Sequence, residues 1–419
     1  MNQKQIYASL ELASHEIRLV VGEFFNTRFH ILQVVRIPCQ GINYKGVENQ
    51  DALVAGIHKA LQQVKEKLKM NIRGVIAAVP SYHFKHLNSK QKVDIEGFDG
   101  VITVKDIQNA IQKAETLKYG DKYVRVQCTA SRFTVNGIST RKVPIGDRCS
   151  QLTVDVDLYF VDKKLAYDIA TVIQKAGLNL MDLFVSGFAI AKEAALIEAS
   201  LNRQIISIDL EYDSTTLNQI YRGKLQNSVL FQGGLVDMVQ PIMDEYGLSK
   251  EMAVELLKYG TQIDKEVFSK NPIHMWKLKN EELVLLSEED FMKSILNRVN
   301  QWIETVVNTC SPILKTGEST VIVNGEGGEQ EGFVKLLNKS LQVETRNYIP
   351  ESLGGRDAAL TTCLGLFYAY QDKLPIYGEM QDSVDVDEFI RQISFRKNSE
   401  EKRKEDTLTN RLKSMFMSK

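Results

Sequence analysis

The chain has 419 residues, 43% of them hydrophobic and 25% charged, with a formal net charge of −1; that length is more than one hydrophobic core fills, so two lobes or several subdomains are expected. The near-neutral balance gives no electrostatic prompt toward nucleic acid. The five cysteines form no CxxC pair, the six histidines show no metal-ligand spacing, and no apolar run approaches the ~20 residues needed to span a bilayer, so the sequence reads as a reduced cytoplasmic protein with no metal centre.

The stretch from Ile6 to Val35 alternates apolar and polar residues, with breaks at Ala13-Ser14-His15-Glu16 and near Asn26-Thr27, which predicts a strand meander. Leu53, Ile57, Leu61, Val64 and Leu68 then fall at helical spacing, and Val75 to Val79 suits a buried strand. From 84 to 161 the texture changes. Strand-like runs at Gln91–Ile95, Tyr123–Val135 and Leu152–Phe160 surround one helix from Val104 to Leu117, which Thr103 and Asp106 open in the manner of a capping box. This reads as an inserted small α+β domain. A helix from Lys164 to Ala176, a short run Met181–Val185 and an Ala-rich helix from Gly187 to Ala199 resume the main body.

Ile205 to Leu210 is a second buried strand ending in an acid, followed by the polar turn Glu211-Tyr212-Asp213-Ser214-Thr215 and a returning strand. It repeats the logic of residues 6–22: in both places a strand delivers a carboxylate, Glu11 or Asp209, to its end and a hydroxyl-bearing turn follows, which predicts two related lobes. Residues 233–316 read as mostly helical, Val321–Val323 as a strand ending at the turn Gly325-Glu326-Gly327-Gly328, and Arg356–Tyr370 as the last folded helix. The boundaries that follow are 1–83 with 162–203 for the first lobe, 84–161 for the insertion and 204–371 for the second lobe, whose helical subdomain spans about 235–316. Residues 372–400 read as a linker and 401–419 as an amphipathic helix.

That last helix carries Leu408, Leu412, Met415 and Phe416 on one stripe, with Arg411 and Lys413 on other faces. Between Arg396 and Lys419 there are eight basic and four acidic residues, a net charge of +4. So short a helix has no reason to order in water, whereas an anionic membrane surface would bury its stripe and attract its basic residues.

Duplicated strand–acid–turn units, a late glycine turn and an inserted β-rich domain together resemble the actin-like superfamily, a duplicated two-lobe α/β fold of the ribonuclease H type. The insertion narrows the resemblance. Phe133–Val161, FTVNGISTRKVPIGDRCSQLTVDVDLYFV, placed after the helix VKDIQNAIQKAETL, resembles the small domain peculiar to the FtsA family. The segment holding Gly233, Gly234, Glu255, Lys258 and Gly260, and the terminal LTNRLKSMF, resemble that family too. The resemblance implies a cell-division protein on the cytoplasmic face of the membrane at the division site. It implies a head-to-tail polymer that tethers the C-terminal tail of the tubulin-like protein FtsZ through the lobe holding residues 235–310.

The resemblance also implies ATP with Mg²⁺ as the ligand, at Glu11, Ser14, Asp209, Ser214, Thr215, Glu255, Lys258, Gly325, Gly327 and Gly328. The family pattern at the first turn resembles GLDIGTSK; here Ser9–Glu16 has a longer acid, an alanine for the glycine and an acid for the lysine. At the second, resembling DIGGGTTD, all three glycines of Asp209–Thr216 are replaced, two of them by acids. Side chains now stand where backbone should approach phosphate, and added carboxylates repel it. Weak or absent nucleotide binding and no catalytic residue are therefore expected. The alternatives are a pilus-assembly type of actin-like scaffold that grips a short peptide, and a true ATPase of the same fold, which would require intact turns and an acid where Thr216 stands.

Overall fold

A computed structural model of the chain describes residues 4–26, 28–95, 99–277, 283–314, 318–378 and 380–384. The amphipathic helix expected over 401–419, with Leu408, Arg411, Leu412, Lys413, Met415 and Phe416, lies outside the described residues, as does most of the expected linker.

Two five-stranded sheets share one plan. In the first, the strands lie in the spatial order Arg28–Pro38, Glu16–Phe25, Lys4–Leu12, Gly74–Val79 and Asn179–Val185, the first three antiparallel and the last two joining in parallel. In the second, Lys224–Gln232, Ser214–Tyr221, Gln204–Leu210, Ser319–Asn324 and Glu344–Asn347 repeat that order and those directions. The central strands read as continuous apolar runs because both faces are covered: all of Gly74–Val79 is buried. On the first sheet the helix Gln50–Leu68 buries Leu53, Ile57 and Val64, and the Asn49 side chain caps it by accepting from the Ala52 N–H at 3.0 Å.

Between Gly74–Val79 and the helix Lys163–Lys175 the chain builds a separate four-stranded sheet, in the order Lys85–Asp94, Gln151–Asp162, Tyr123–Val135, Ile138–Thr140. Helix Val104–Glu115 covers it with Ile107, Ala110, Ile111 and Ala114, giving this insertion its own core. The Asp106 carboxylate accepts from both the N–H and the hydroxyl of Thr103, at 2.8 and 2.6 Å, which closes the helix start.

The second lobe carries helices Leu235–Tyr246, Lys250–Glu255 and the long Glu288–Leu314, plus a hairpin of Pro272–Lys277 and Leu283–Ser287 that the helical reading of this region did not foresee. Its strands bury little, with Met275, Leu283 and Leu285 exposed, so their apolar residues lack the strict alternation that marks a half-buried strand. The Ala-rich helix expected over 187–199 is two pieces, Ser186–Glu193 and Leu196–Ala199, broken where Ala195 takes a left-handed conformation at φ 52°. The last long helix is Thr361–Gln371, preceded by a short 3₁₀ turn at Ala358–Leu360.

The folded body also runs past residue 372, where a linker was expected. Leu374–Tyr377 forms a helical turn, and Asp382–Val384 returns to the first sheet. Strands Lys4–Leu12 and Gly74–Val79 pair only at Ser9–Ile76 and Leu10–Ala77, which leaves backbone groups below that point open. Ser383 fills them: its N–H donates to the Ile6 carbonyl at 2.8 Å, its carbonyl accepts from the Arg73 N–H at 2.7 Å and its hydroxyl accepts from the Ala8 N–H at 2.8 Å.

Candidate functional site: the cleft between the lobes

The two equivalent hairpins meet face to face. In each, the turn closes the same way, the Ala13 N–H on the Glu16 carbonyl at 2.9 Å and the Glu211 N–H on the Ser214 carbonyl at 3.0 Å. That correspondence makes Glu11 the partner of Asp209 and Arg18 the counterpart of Thr216, since Glu11 lies opposite Arg18 and Asp209 opposite Thr216 in their ladders.

Arg18 is the centre of the cleft. It is fully buried, and its guanidinium makes six hydrogen bonds: Nε to Glu16 at 2.6 Å; Nη1 to Glu11 and Glu211, each at 3.2 Å, and to the Ala359 carbonyl at 2.9 Å; Nη2 to Glu211 at 2.8 Å and Glu326 at 2.7 Å. These partners come from both hairpins, the glycine turn and the 3₁₀ turn that precedes the helix Thr361–Gln371. Around them, Arg36 donates to Glu16 at 2.7 Å and to Asp357 at 2.7 Å, His15 Nε2 lies 2.9 Å from Glu326, and the His15 ring stacks on Tyr212 with centroids 4.1 Å apart. His15, Glu16 and Glu326 bring metal-ligand atoms within 4.8 Å of one another, yet each of those atoms already serves an arginine or the histidine pair.

The crowding of acids sets their protonation. Burial, then the neighbouring charges of Glu211 and Glu11, push Asp209 well above the usual carboxylate range. Burial also raises Glu11, and it pushes Glu211 up to about 7 against the pull of Arg18. For Glu326 burial acts upward but is outweighed by the hydrogen bond from His15 and the charge of Arg18, which hold it down to about 2. In Glu16 burial is likewise overcome, by Arg36 and Arg18, and the group is lowered. Protons and arginines thus share the neutralisation of one acidic cluster.

The folded state keeps on Glu211 a proton that the unfolded chain releases near the ordinary value of 4.5. Its contribution to stability is complete below that pH and is lost as pH rises through about 7. Glu326 works in the opposite sense, contributing above 4.5 and failing as pH falls toward about 2. Glu211→Gln, which holds no titratable proton, is expected to flatten the decline in urea midpoint between pH 4.5 and about 7 while leaving the acid limb in place.

The residues expected to hold nucleotide divide into two groups. Glu11, Ser14, Asp209 and Ser214 come together, lining a cleft cavity of about 90 Å³ with Glu211 and Asp213. Thr215 does not face it: it is buried, its hydroxyl donates to the Gly233 carbonyl at 2.6 Å and accepts from Trp302 Nε1 at 2.9 Å, inside the second lobe's core. Glu255 is exposed, and Lys258 lies 3.5 Å from Glu329, whose charge together with that of Glu326 outweighs burial and raises the lysine. The glycine turn packs on protein: a Cβ on Gly325, which sits at φ +74°, would lie 2.7 Å from Asp209 Oδ1, and one on Gly327 would lie 2.3 Å from Leu210 Cδ2. Glycine is needed there for close approach of the turn to the second hairpin.

Sequence reasoning passed over Arg18, Arg36 and the pairing roles of Glu16 and Glu326. A signal was present in Glu16–Phe25, EIRLVVGEFF, where an acid and a base two positions apart share one face of a strand that continues as the apolar run Leu19–Val21. A charge in that setting has to be paired.

No protein-family model matches the chain. Over 372 residues it is 22% identical to the cell division protein FtsA of Enterococcus hirae, covering 87% of this chain and 83% of that one. Over 380 residues it is 23% identical to FtsA of Bacillus subtilis, with the same coverage. The chain is FtsA-like. Among solved structures, its fold resembles that of a PilM–PilN type IV pilus biogenesis complex, with a TM-score of 0.57, 15% identity, and coverage of 87% of this chain and 98% of that one. MreB5 of Spiroplasma citri bound to ADP has a TM-score of 0.51 at 12% identity, covering 89% and 99%. The fold is therefore actin-like, as the paired sheets indicate, and the similarity to FtsA supports a cell-division role. No helix among the described residues is long and apolar enough to cross a membrane.

Proposed function

We propose that this FtsA-like chain polymerises on the cytoplasmic face of the membrane at the division site and tethers the FtsZ C-terminal tail there, helping to assemble the septal ring. The observation that carries the reading is the similarity to FtsA proteins over 87% of the chain; the small domain inserted between Gly74–Val79 and Lys163–Lys175 is consistent with it. The role is that of a scaffold with no catalytic turnover. The pilus-assembly alternative draws on a likeness of fold alone.

Membrane attachment rests on the sequence of residues 401–419, with Leu408, Leu412, Met415 and Phe416 entering the headgroup region and Arg411 and Lys413 meeting anionic lipid. Four large apolar residues hold a monomer weakly, so firm attachment comes with polymerisation, when many helices act together. Co-sedimentation of the full chain with anionic vesicles is expected, and a chain lacking residues 405–419 is expected to stay in the supernatant. Vesicle binding that persists after the deletion overturns the tether. A synthetic FtsZ C-terminal peptide should raise fluorescence anisotropy with the full chain; no change at millimolar protein overturns the division partner.

A further inference from the structure

We propose that Arg18 takes the place of a bound nucleotide, clasping the two lobes from within so that the chain closes without ATP. The actin-like fold implies a polyphosphate and its metal between two hairpin turns, where small residues let backbone N–H groups reach phosphate and strand-end carboxylates hold the metal's water shell. The residues present here do not fit that group.

Three independent features of the cleft say so. Its space is taken: the remaining cavity of about 90 Å³ falls short of the roughly 300–1,000 Å³ of ligand pockets. Its lining is wrong: four acidic side chains, Glu11, Asp209, Glu211 and Asp213, face that cavity, and no lysine, arginine or histidine is there to meet a phosphate. Its turns are closed on each other: His15 of the first hairpin stacks on Tyr212 of the second, and Glu326 of the glycine turn binds both His15 and Arg18.

What remains is a guanidinium where a cation and phosphate would bridge the lobes. Glu11 and Glu16 are contributed by the first lobe, Glu211 and Glu326 by the second, and Arg18 binds all four. Its planar fork meets both oxygens of Glu211 in a bidentate pair, which a point charge would not reproduce. The Gln232 amide on the Tyr44 hydroxyl and the Ser81 hydroxyl on Asn218 at 2.9 Å add further links across the cleft. Closure is therefore encoded in the chain, where in a nucleotide-dependent relative it would depend on a ligand. The inference does not rest on the division role: a chain that fails to bind FtsZ could still carry the clasp.

The test uses the full chain. Calorimetric titration with Mg-ATP and with Mg-ADP is expected to show no saturable binding at millimolar nucleotide, and saturable binding at micromolar nucleotide overturns the proposal. Hydrogen exchange at the hairpin amides of residues 9–18 and 207–216 is expected to be slow in the wild type and unchanged by Mg-ATP. In Arg18→Met it should rise by about tenfold or more, with no protection restored by nucleotide. Unchanged exchange in Arg18→Met, or protection regained with Mg-ATP, overturns it. Should that variant fail to fold, Arg18→Lys keeps the charge and loses the fork. It is expected to exchange faster than wild type in the same segments, and wild-type protection in it overturns the clasp.

Discussion

Arg18→Met is expected to lower the free energy of unfolding by about 3–5 kcal/mol, the range measured when one partner of a buried ion pair is removed. The size follows from what is left behind. Glu11, Glu16, Glu211 and Glu326 all lose a hydrogen-bond donor, and of these only Glu16 and Glu326 keep another arginine, Arg36, at 2.7 and 3.8 Å. The loss arises from stranded acids more than from the pair itself, so removing acid charge as well should recover part of it. Arg18→Met combined with Glu211→Gln is expected to be less destabilised than the sum of the two single changes, by on the order of 1 kcal/mol or more. Urea unfolding of the four proteins of this cycle at neutral pH measures it, and strict additivity would show that the two side chains are not coupled across the cleft.

Gly365→Ala is expected to have an effect of similar size from a wholly different cause. Gly365 sits in the helix Thr361–Gln371 where it crosses Ser186–Glu193, and a Cβ there would lie 1.8 Å from the Ala189 carbonyl oxygen and 2.4 Å from its carbon. Backbone atoms cannot rotate aside as the end of a flexible side chain can. One of the two helices has to move, and both are packed into the first lobe's core through Phe188, Leu364 and Phe367. Overpacking of this kind costs typically 1–3 kcal/mol and more where backbone is the obstacle. A loss of about 3 kcal/mol or more, read as a fall in the thermal or urea midpoint, is the expected outcome. Gly120→Ser provides the comparison: a Cβ there meets nothing within 4 Å, and the change is expected to incur only the strain of its positive φ.

Much of the fold was determined by local pattern. Residues 6–35 specify a meander and residues 51–69 a helix because apolar periodicity of two and of 3.6 are incompatible signals, each acting within a few residues. The duplication was legible because strand–acid–turn units recur about two hundred residues apart and each unit is closed by its own turn. The insertion was legible because its helix is capped by Thr103 and Asp106, three residues apart. The substitutions in the phosphate turns were also visible, since a glycine replaced by an acid changes sterics and charge wherever it stands.

Tertiary structure decided what those substitutions build. Arg18 reads in sequence as one charge in a strand; that its partners are Glu211 and Glu326 depends on contacts 193 and 308 residues away, which no local period encodes. Thr215 and Ser214 are adjacent and chemically alike, yet the strand's alternation sends one to the cleft and the other to Trp302, a distinction set by the register of the hairpin against the long helix. The glycines of the third turn read as a phosphate cradle and serve instead to let Asp209 and Leu210 approach. The chain past residue 372 has a linker's composition, but open backbone groups at Ile6, Ala8 and Arg73 hold it through Ser383, because a buried N–H or carbonyl takes whatever partner reaches it. Sequence sets which elements form and which turns are altered; whether a side chain in those turns meets solvent, ligand or another turn is settled only when the lobes close.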